Sequence, residues 1–249
     1  MPAVAFDILG TLFTFDKVVA CLQETFNELA SEQAAKHLFR DWFSSGTRDF
    51  FGTSHAGRYI PLLKVLKSTL TRAMLIAGYD APSLEQIEAV MKTFNELEPA
   101  VSALDALALF QEKGWDIWIV TNGSHDTISR LLERAGLFHF FRQGSDKEIN
   151  VMSCDDLGIS KPHPKVYSEL MRIAVHRTQR IENFYLISSH AWDLAGAKNV
   201  CFRTAFLTTE EKIYPKDLYD GTGPDIKGDT MLSCAKAMVE LESNKKSYM

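Results

Sequence analysis

A rhythm and its one long interruption constrain this chain more than any other feature. From residue 100 onward, apolar runs of strand length alternate with amphipathic stretches of helix length. WDIWIVTNG, NFYLISS and CFRTAFLT read as strands, with a further short one near Ile149–Met152. VSALDALALFQEKG, HDTISRLLERAGL, PKVYSELMRIAVH, DLAGAKNV and MLSCAKAMVELES read as helices. Strands separated by helices of this length indicate a parallel sheet covered on both faces. Residues 3–8, AVAFDI, read as one more buried strand, closed by a Gly10-Thr11 turn. Beyond that strand the alternation breaks.

From about Asp16 to Asn95, apolar residues recur at three-to-four spacing and strand signals are nearly absent. A loop, SSGTRDFFGTSHAGRY, is expected to divide this stretch, and Asp80-Ala81-Pro82-Ser83 to turn into a fresh helix, SLEQIEAVMKTFNEL. The economical architecture is α/β. A core domain of residues 1–14 and 96–249 carries a helical insertion, residues 15–95, between its first strand and the rest. That insertion falls at the carboxyl edge of the sheet, where open α/β sheets bind ligands, so it is placed to act as a cap.

Composition narrows the partners. The 249 residues are 46% hydrophobic and 24% charged, as in a globular protein with a substantial core. A formal charge of −5 without a basic stripe argues against a nucleic-acid partner. No run approaches the roughly 18 apolar residues that span a bilayer, so no membrane partner is expected. No basic region followed by a long apolar stretch marks a signal peptide, and a cytoplasmic location is the expectation. Cys21, Cys154, Cys201 and Cys234 form no CxxC pair and read as free thiols of a reducing compartment.

Four polar stretches stand at or just beyond strand ends: Asp7, Thr121-Asn122-Gly123, Lys161-Pro162, and Ser188-Ser189-His190 with Asp193. In a parallel sheet these ends converge on one edge, so the four would share a pocket. Their joint chemistry is nucleophilic. A carboxylate can attack electrophilic carbon or phosphorus and form a covalent ester or acyl phosphate that water then releases. Asp7 is the candidate nucleophile, and Lys161 would keep it ionised. The Thr121 hydroxyl, the Asn122 amide and backbone N–H groups of the Gly10-Thr11 turn could hold an anionic substrate group. Asp193 could position Lys161 or the hydrolytic water.

The order FDxxGTL, VTNGS, SKPxPxVY and SSxAWDxxGA resembles the haloacid dehalogenase superfamily over nearly the whole chain, most closely its (S)-2-haloacid dehalogenases. The resemblance implies a Rossmann-like core with a helical cap, and Asp7 as the nucleophile that displaces halide from the carbon beside a carboxylate, with inversion and without a metal or other cofactor. By position, Thr11, Thr121, Asn122, Lys161, Tyr167, Ser188 and Asp193 fall on family active-site positions. The family also uses a cap arginine, for which Arg40 in LFRDWF is the best match and Arg48 and Arg58 are rivals. Caps of this type often support dimers, so a homodimer is one expectation. Three departures stand out: Leu9 replaces an aromatic residue, Thr121 a serine, and His190 an asparagine. The histidine can act as acid or base, or carry charge, as an amide cannot.

Plainer readings stay beside these. Thr11 or Asp193 could cap a helix, Lys161 could be a solvated loop residue, Tyr167 could be core, and Arg40 could point to solvent. The remaining histidines read as surface residues. The aromatic cluster at residues 42–51 reads as cap core or as the lining of an apolar pocket.

Leu9 bears on the reaction class. Phosphatases of this superfamily carry a second acid two residues after the nucleophile, and general acid help of that kind is worth about 10²–10⁴-fold. They also bind Mg²⁺ with a fourth-motif acidic pair whose first member is here Ser189, and magnesium prefers an oxygen shell rich in carboxylate. Phosphate transfer is therefore disfavoured. Halide leaves without a proton. Three functions remain: halide displacement from a small 2-haloacid; a repurposed lyase, cyclase or isomerase acting on a larger metabolite; or a non-catalytic binder, against which a retained nucleophile–lysine pair argues.

Overall fold

The computed structural model describes residues 2–142, 149–179, 183–219 and 221–246. Its six strands are β1 (Ala3–Phe6), β2 (Asp116–Thr121), β3 (Val151–Ser153), β4 (Phe184–Ser188), β5 (Arg203–Leu207) and β6 (Ile226–Gly228). They form one sheet in the order β3-β2-β1-β4-β5-β6, and every neighbouring pair is parallel. β1 lies at the centre, between β2 and β4.

Alternate residues of each strand feed two separate cores. Val4, Phe6, Ile117, Ile119, Tyr185 and Ile187 face one side, and Ala3, Ala5, Trp118, Val120, Phe184 and Leu186 the other. Burial on both faces explains why these strands read as continuous apolar runs. Helices α5 (Ala103–Glu112), α6 (His125–Arg134) and α10 (Met231–Lys246) supply buried residues to the first core. Helices α8 (Pro164–Thr178) and α9 (Ala191–Lys198) cover the second, and α7 (Cys154–Leu157) is a single turn after β3. Of the strands, the sequence missed only the short edge strand β6, whose Lys227 is exposed and whose three residues carry no apolar run.

Between β1 and β2 stand α1 (Asp16–Thr25), α2 (Glu32–His55), α3 (Leu62–Ile76) and α4 (Leu84–Lys92). The turn at residues 80–83 leads into α4 through a capping box between Ser83 and Gln86. The loop expected over residues 44–59 is a correction: α2 runs unbroken to His55. Gly46 makes this possible, because a Cβ there would lie 2.6 Å from Leu66 Cδ2 of α3. The two helices therefore approach closely, Trp42 Nε1 donates to Leu66 O at 3.0 Å, and Phe50 is wholly buried. Tertiary packing overrides the weak helix propensity of Ser-Ser-Gly-Thr.

The chain enters and leaves this helical stretch at one place. Phe13 bridges Pro99, Thr14 N donates to Glu98 O at 2.9 Å, and Ala100 N to Leu12 O at 2.8 Å. On another side, Tyr59 donates to Asp155 Oδ1 at 2.6 Å and Ser160 N to Ser54 Oγ at 3.0 Å. The first core continues from the sheet through Leu12, Phe13 and Phe15 into all four helices. No described helix is long and apolar enough to cross a membrane.

Candidate active site

Asp7 follows β1, and its N–H still donates to Ile187 O at 3.0 Å. The backbone then reverses at Gly10, whose φ is +77°. A Cβ at that position would lie 2.7 Å from Phe15 Cε2 and 3.4 Å from His190 Nε2. The turn brings Thr11 back over the acid. Its Oγ1 donates to Asp7 Oδ2 at 2.7 Å and accepts from Ser189 N at 3.0 Å. Thr11 caps no helix, since α1 begins at Asp16.

Lys161 enters from the loop after α7 and is 1% exposed. Its Nζ donates to Asp7 Oδ1 at 2.7 Å, to Asp193 Oδ2 at 2.7 Å and to Val120 O at 3.1 Å. Three ammonium hydrogens thus meet three acceptors. The Lys161 backbone N–H donates to Asn122 Oδ1 at 2.9 Å, which ties the loop to the end of β2. Asp193 sits inside α9 as its third residue and not at its cap. Its Oδ1 accepts from the Tyr167 hydroxyl at 2.6 Å.

Burial pushes both carboxyls up, with different results. The charges of Lys161 and His190 and the bonds from Lys161 and Thr11 hold Asp7 below the usual carboxylate range. Asp193 stays above that range, because burial and the nearby Asp7 charge outweigh Lys161 and Tyr167. Lys161 itself is held above the ordinary lysine range, since its two carboxylates more than offset its burial. Of the two carboxyls, Asp7 is the one whose surroundings favour the ionised form.

His190 has an acceptor at each ring nitrogen. Nε2 stands 3.0 Å from Leu9 O and 3.7 Å from Asp7 Oδ2, and Nδ1 is 3.4 Å from Glu211 Oε1. The ring stacks on Trp192 with centroids 5.3 Å apart. A neutral imidazole would present one lone pair to an oxygen, so this setting selects the doubly protonated ring. Burial works against the charge, but Glu211, Asp7 and Leu9 O raise the pKa to about 9. Glu211 is fixed in turn, because its Oε2 accepts from Ala191 N at 2.8 Å.

A chamber of about 20 Å³ opens onto the Asp7 carboxylate, lined also by Leu9, Phe43, Thr47, Leu62, Thr121, Asn122, His190 and Trp192. Phe43, Thr47, His190 and Trp192 are shared with a vestibule of about 550 Å³. Of the residues expected at the site, Asp7, Leu9, Thr121, Asn122 and His190 line the chamber. Thr11, Lys161, Asp193, Tyr167 and Ser188 lie behind that wall: Tyr167 is spent on Asp193, and Ser188 Oγ accepts from His190 N at 3.1 Å. Arg40 is exposed and lines the vestibule instead, as does Arg48. Sequence reasoning missed Glu211 and Thr47. Paired acids a few residues beyond β5 were a signal for Glu211, and nothing in the sequence marked Thr47. The Thr47 Oγ1 is buried without a hydrogen-bond partner, a state that costs about 1–3 kcal/mol. A larger cleft of about 770 Å³, between residues 51–59 and 158–163, holds none of the Asp7 group.

The arrangement does not fit a magnesium ion. The space between the two carboxylates is filled by Lys161 Nζ, a cation already bonded to both. Among the described residues, no three His, Cys, Asp or Glu side chains are grouped to hold a metal.

A buried carboxylate at the carboxyl edge of a six-stranded parallel sheet, paired with a lysine and covered by helices, is the arrangement to be placed in a class. The family model of haloacid dehalogenase-like hydrolases matches residues 1–200, and the chain belongs to that family. It is 26% identical over 245 residues to an (S)-2-haloacid dehalogenase of Pseudomonas sp. (strain YL), covering 97% of this chain and 94% of the relative. The solved L-2-haloacid dehalogenase of Xanthobacter autotrophicus superposes with a TM-score of 0.75 at 20% identity, over 95% of this chain and 98% of that one. Another solved L-2-haloacid dehalogenase gives a TM-score of 0.80 at 21% identity, over 96% of this chain and 99% of that one.

Proposed function

We propose that the protein displaces halide from 2-haloacids through an ester on Asp7, without a metal, beneath a cap formed by residues 15–95. The observation that carries this reading is the buried Asp7–Lys161 pair opening on a chamber that contains no second acid. One Asp7 oxygen attacks the carbon beside the substrate carboxylate. The carbon–halogen bond breaks and the halide takes its electron pair. Leu9 offers no proton, and a halide needs none.

Esterification removes the charge of Asp7. Lys161 and His190 are left facing the ester, and both stabilise the oxyanion that forms when water adds to its carbonyl carbon. Collapse of that adduct breaks the bond between the Asp7 carbonyl carbon and the substrate oxygen. One proton of the water passes to that oxygen, which leaves as the hydroxy acid, the other goes to solvent, and the carboxylate is restored. Asp193 and Tyr167 hold Lys161 in place throughout. His190 takes the place of a cap arginine as the second cation, because Arg40 lies out in the vestibule. The four free cysteines suit a reducing, cytoplasmic setting.

Halide release from 2-bromopropanoate tests the reading. Wild-type protein is expected to release bromide, and Asp7→Asn to lose this by about a thousandfold or more, as for removal of a nucleophile. Equal release by both proteins would sink the covalent mechanism.

A further inference from the structure

The chamber at Asp7 has room for about one water-sized group. A substrate must therefore extend beyond it. The outlet lies past Phe43, Thr47, His190 and Trp192 into the vestibule. One stripe of α2 forms a long wall of that space: Arg40, Phe43, Ser44, Thr47, Arg48 and Phe51 recur at helical spacing. Phe15 and Phe39 complete an aromatic surface. Phe15 lies 4.8 Å from Phe39 and 4.7 Å from Phe43, while Phe39 stacks on Phe43 at 5.5 Å. Phe51, on the same wall, packs edge-on against Trp192 with centroids 5.0 Å apart.

The polar groups are distributed unevenly. Glu211 is committed to His190 and Ala191, and Arg48 to Asp49. Thr47 Oγ1, at the junction of the two cavities, is buried and has no partner. A hydroxyl in that position awaits an acceptor on a ligand.

We propose that the vestibule is a substrate subsite for a ring-bearing apolar group, so that the substrates are 2-haloacids carrying an aryl substituent beyond the reacting carbon. The halogen-bearing carbon enters the chamber, the substrate carboxylate accepts a hydrogen bond from Thr47, and the ring lies among Phe39, Phe43, Phe51 and Trp192. This rests on the reading of Asp7 as the nucleophile.

Two measurements separate that reading from the subsite. In the first, bromide release is compared between 2-bromopropanoate and 2-bromo-3-phenylpropanoate. The phenyl substrate is expected to show a kcat/KM higher by about tenfold or more, the scale of burying a ring. Ser44→Trp, which fills the vestibule, should bring the ratio of the two towards one, and Thr47→Val should raise KM for the phenyl acid. Release from 2-bromopropanoate with no gain for the phenyl acid overturns the subsite and leaves Asp7 catalysis standing. In the second, binding of the unreactive acids 3-phenylpropanoate and propanoate to wild-type protein is followed by calorimetry. This comparison needs neither turnover nor a folded variant. The phenyl acid should bind about tenfold or more tightly; equal or absent binding overturns the subsite even if no bromide is released from any substrate.

Discussion

His190 and Glu211 show how two residues set the charge of a site. The ring is 8% exposed, flanked by carboxylates on both sides, and fixed against Trp192. Its pKa of about 9, against 6.5 for a free histidine, links protonation to folding. Because the folded value is raised, the contribution is present in full below about pH 6.5 and is lost as pH rises through 9. It amounts to something on the order of 3 kcal/mol. Denaturant titrations between pH 6 and 10 should show wild-type stability declining over that window, and His190→Asn should flatten the decline. Glu211→Gln removes one of the two anions. The Cε1 proton of His190, followed by NMR, should then titrate at lower pH than in wild type. The high-pH limb of kcat/KM should move down with it, and an unmoved titration would show that Glu211 does not hold the charge. Asp7, Lys161 and Asp193 could be picked out of the sequence because each stands within a recognisable stretch. For Glu211 the paired acids beyond β5 were the one signal, and its partner His190 lies 21 positions earlier in the sequence.

Among the elements, the β1 turn and α2 matter most. Gly10 holds a left-handed conformation and passes so close to Phe15 that a side chain has no room. Gly10→Ala should destabilise the protein by about 1–3 kcal/mol, read as a lower unfolding midpoint in urea, because both the backbone and the contact are strained. An unchanged midpoint would mean the turn relaxes freely. Helix α2 carries a different lesson. Its second half is rich in Ser, Gly and Thr and reads locally as a loop, yet Gly46 packs under Leu66 and Phe50 fills the core. Local composition could not reveal a helix whose stability comes from α3. The same half of α2 bears Thr47, Arg48 and Phe51, so the stretch least legible in the sequence is the one that walls the vestibule.

In the whole molecule, the sheet and the helical interval were legible because strands buried on both faces and amphipathic helices have different periods. Sequence did not reveal how the helices sit over the sheet. That placement depends on side chains distant in sequence, such as Tyr59 with Asp155. Tyr59→Phe should cost about 1 kcal/mol and speed amide exchange in α2 and α3, while exchange in β1 and β4 stays slow. Uniform protection in the variant would show that this bond does not fasten the helices. At the paired crossing of Phe13 and Pro99 the two ends of the helical stretch meet. Exchanging that stretch for another of different length therefore adds little loop-closure entropy. In hereditary terms, the aromatic wall from Phe15 to Phe51 lies on one continuous stretch of the polypeptide, while Asp7, Lys161 and His190 lie outside it. A single recombination event could give this chemistry a new diet and leave Asp7 untouched.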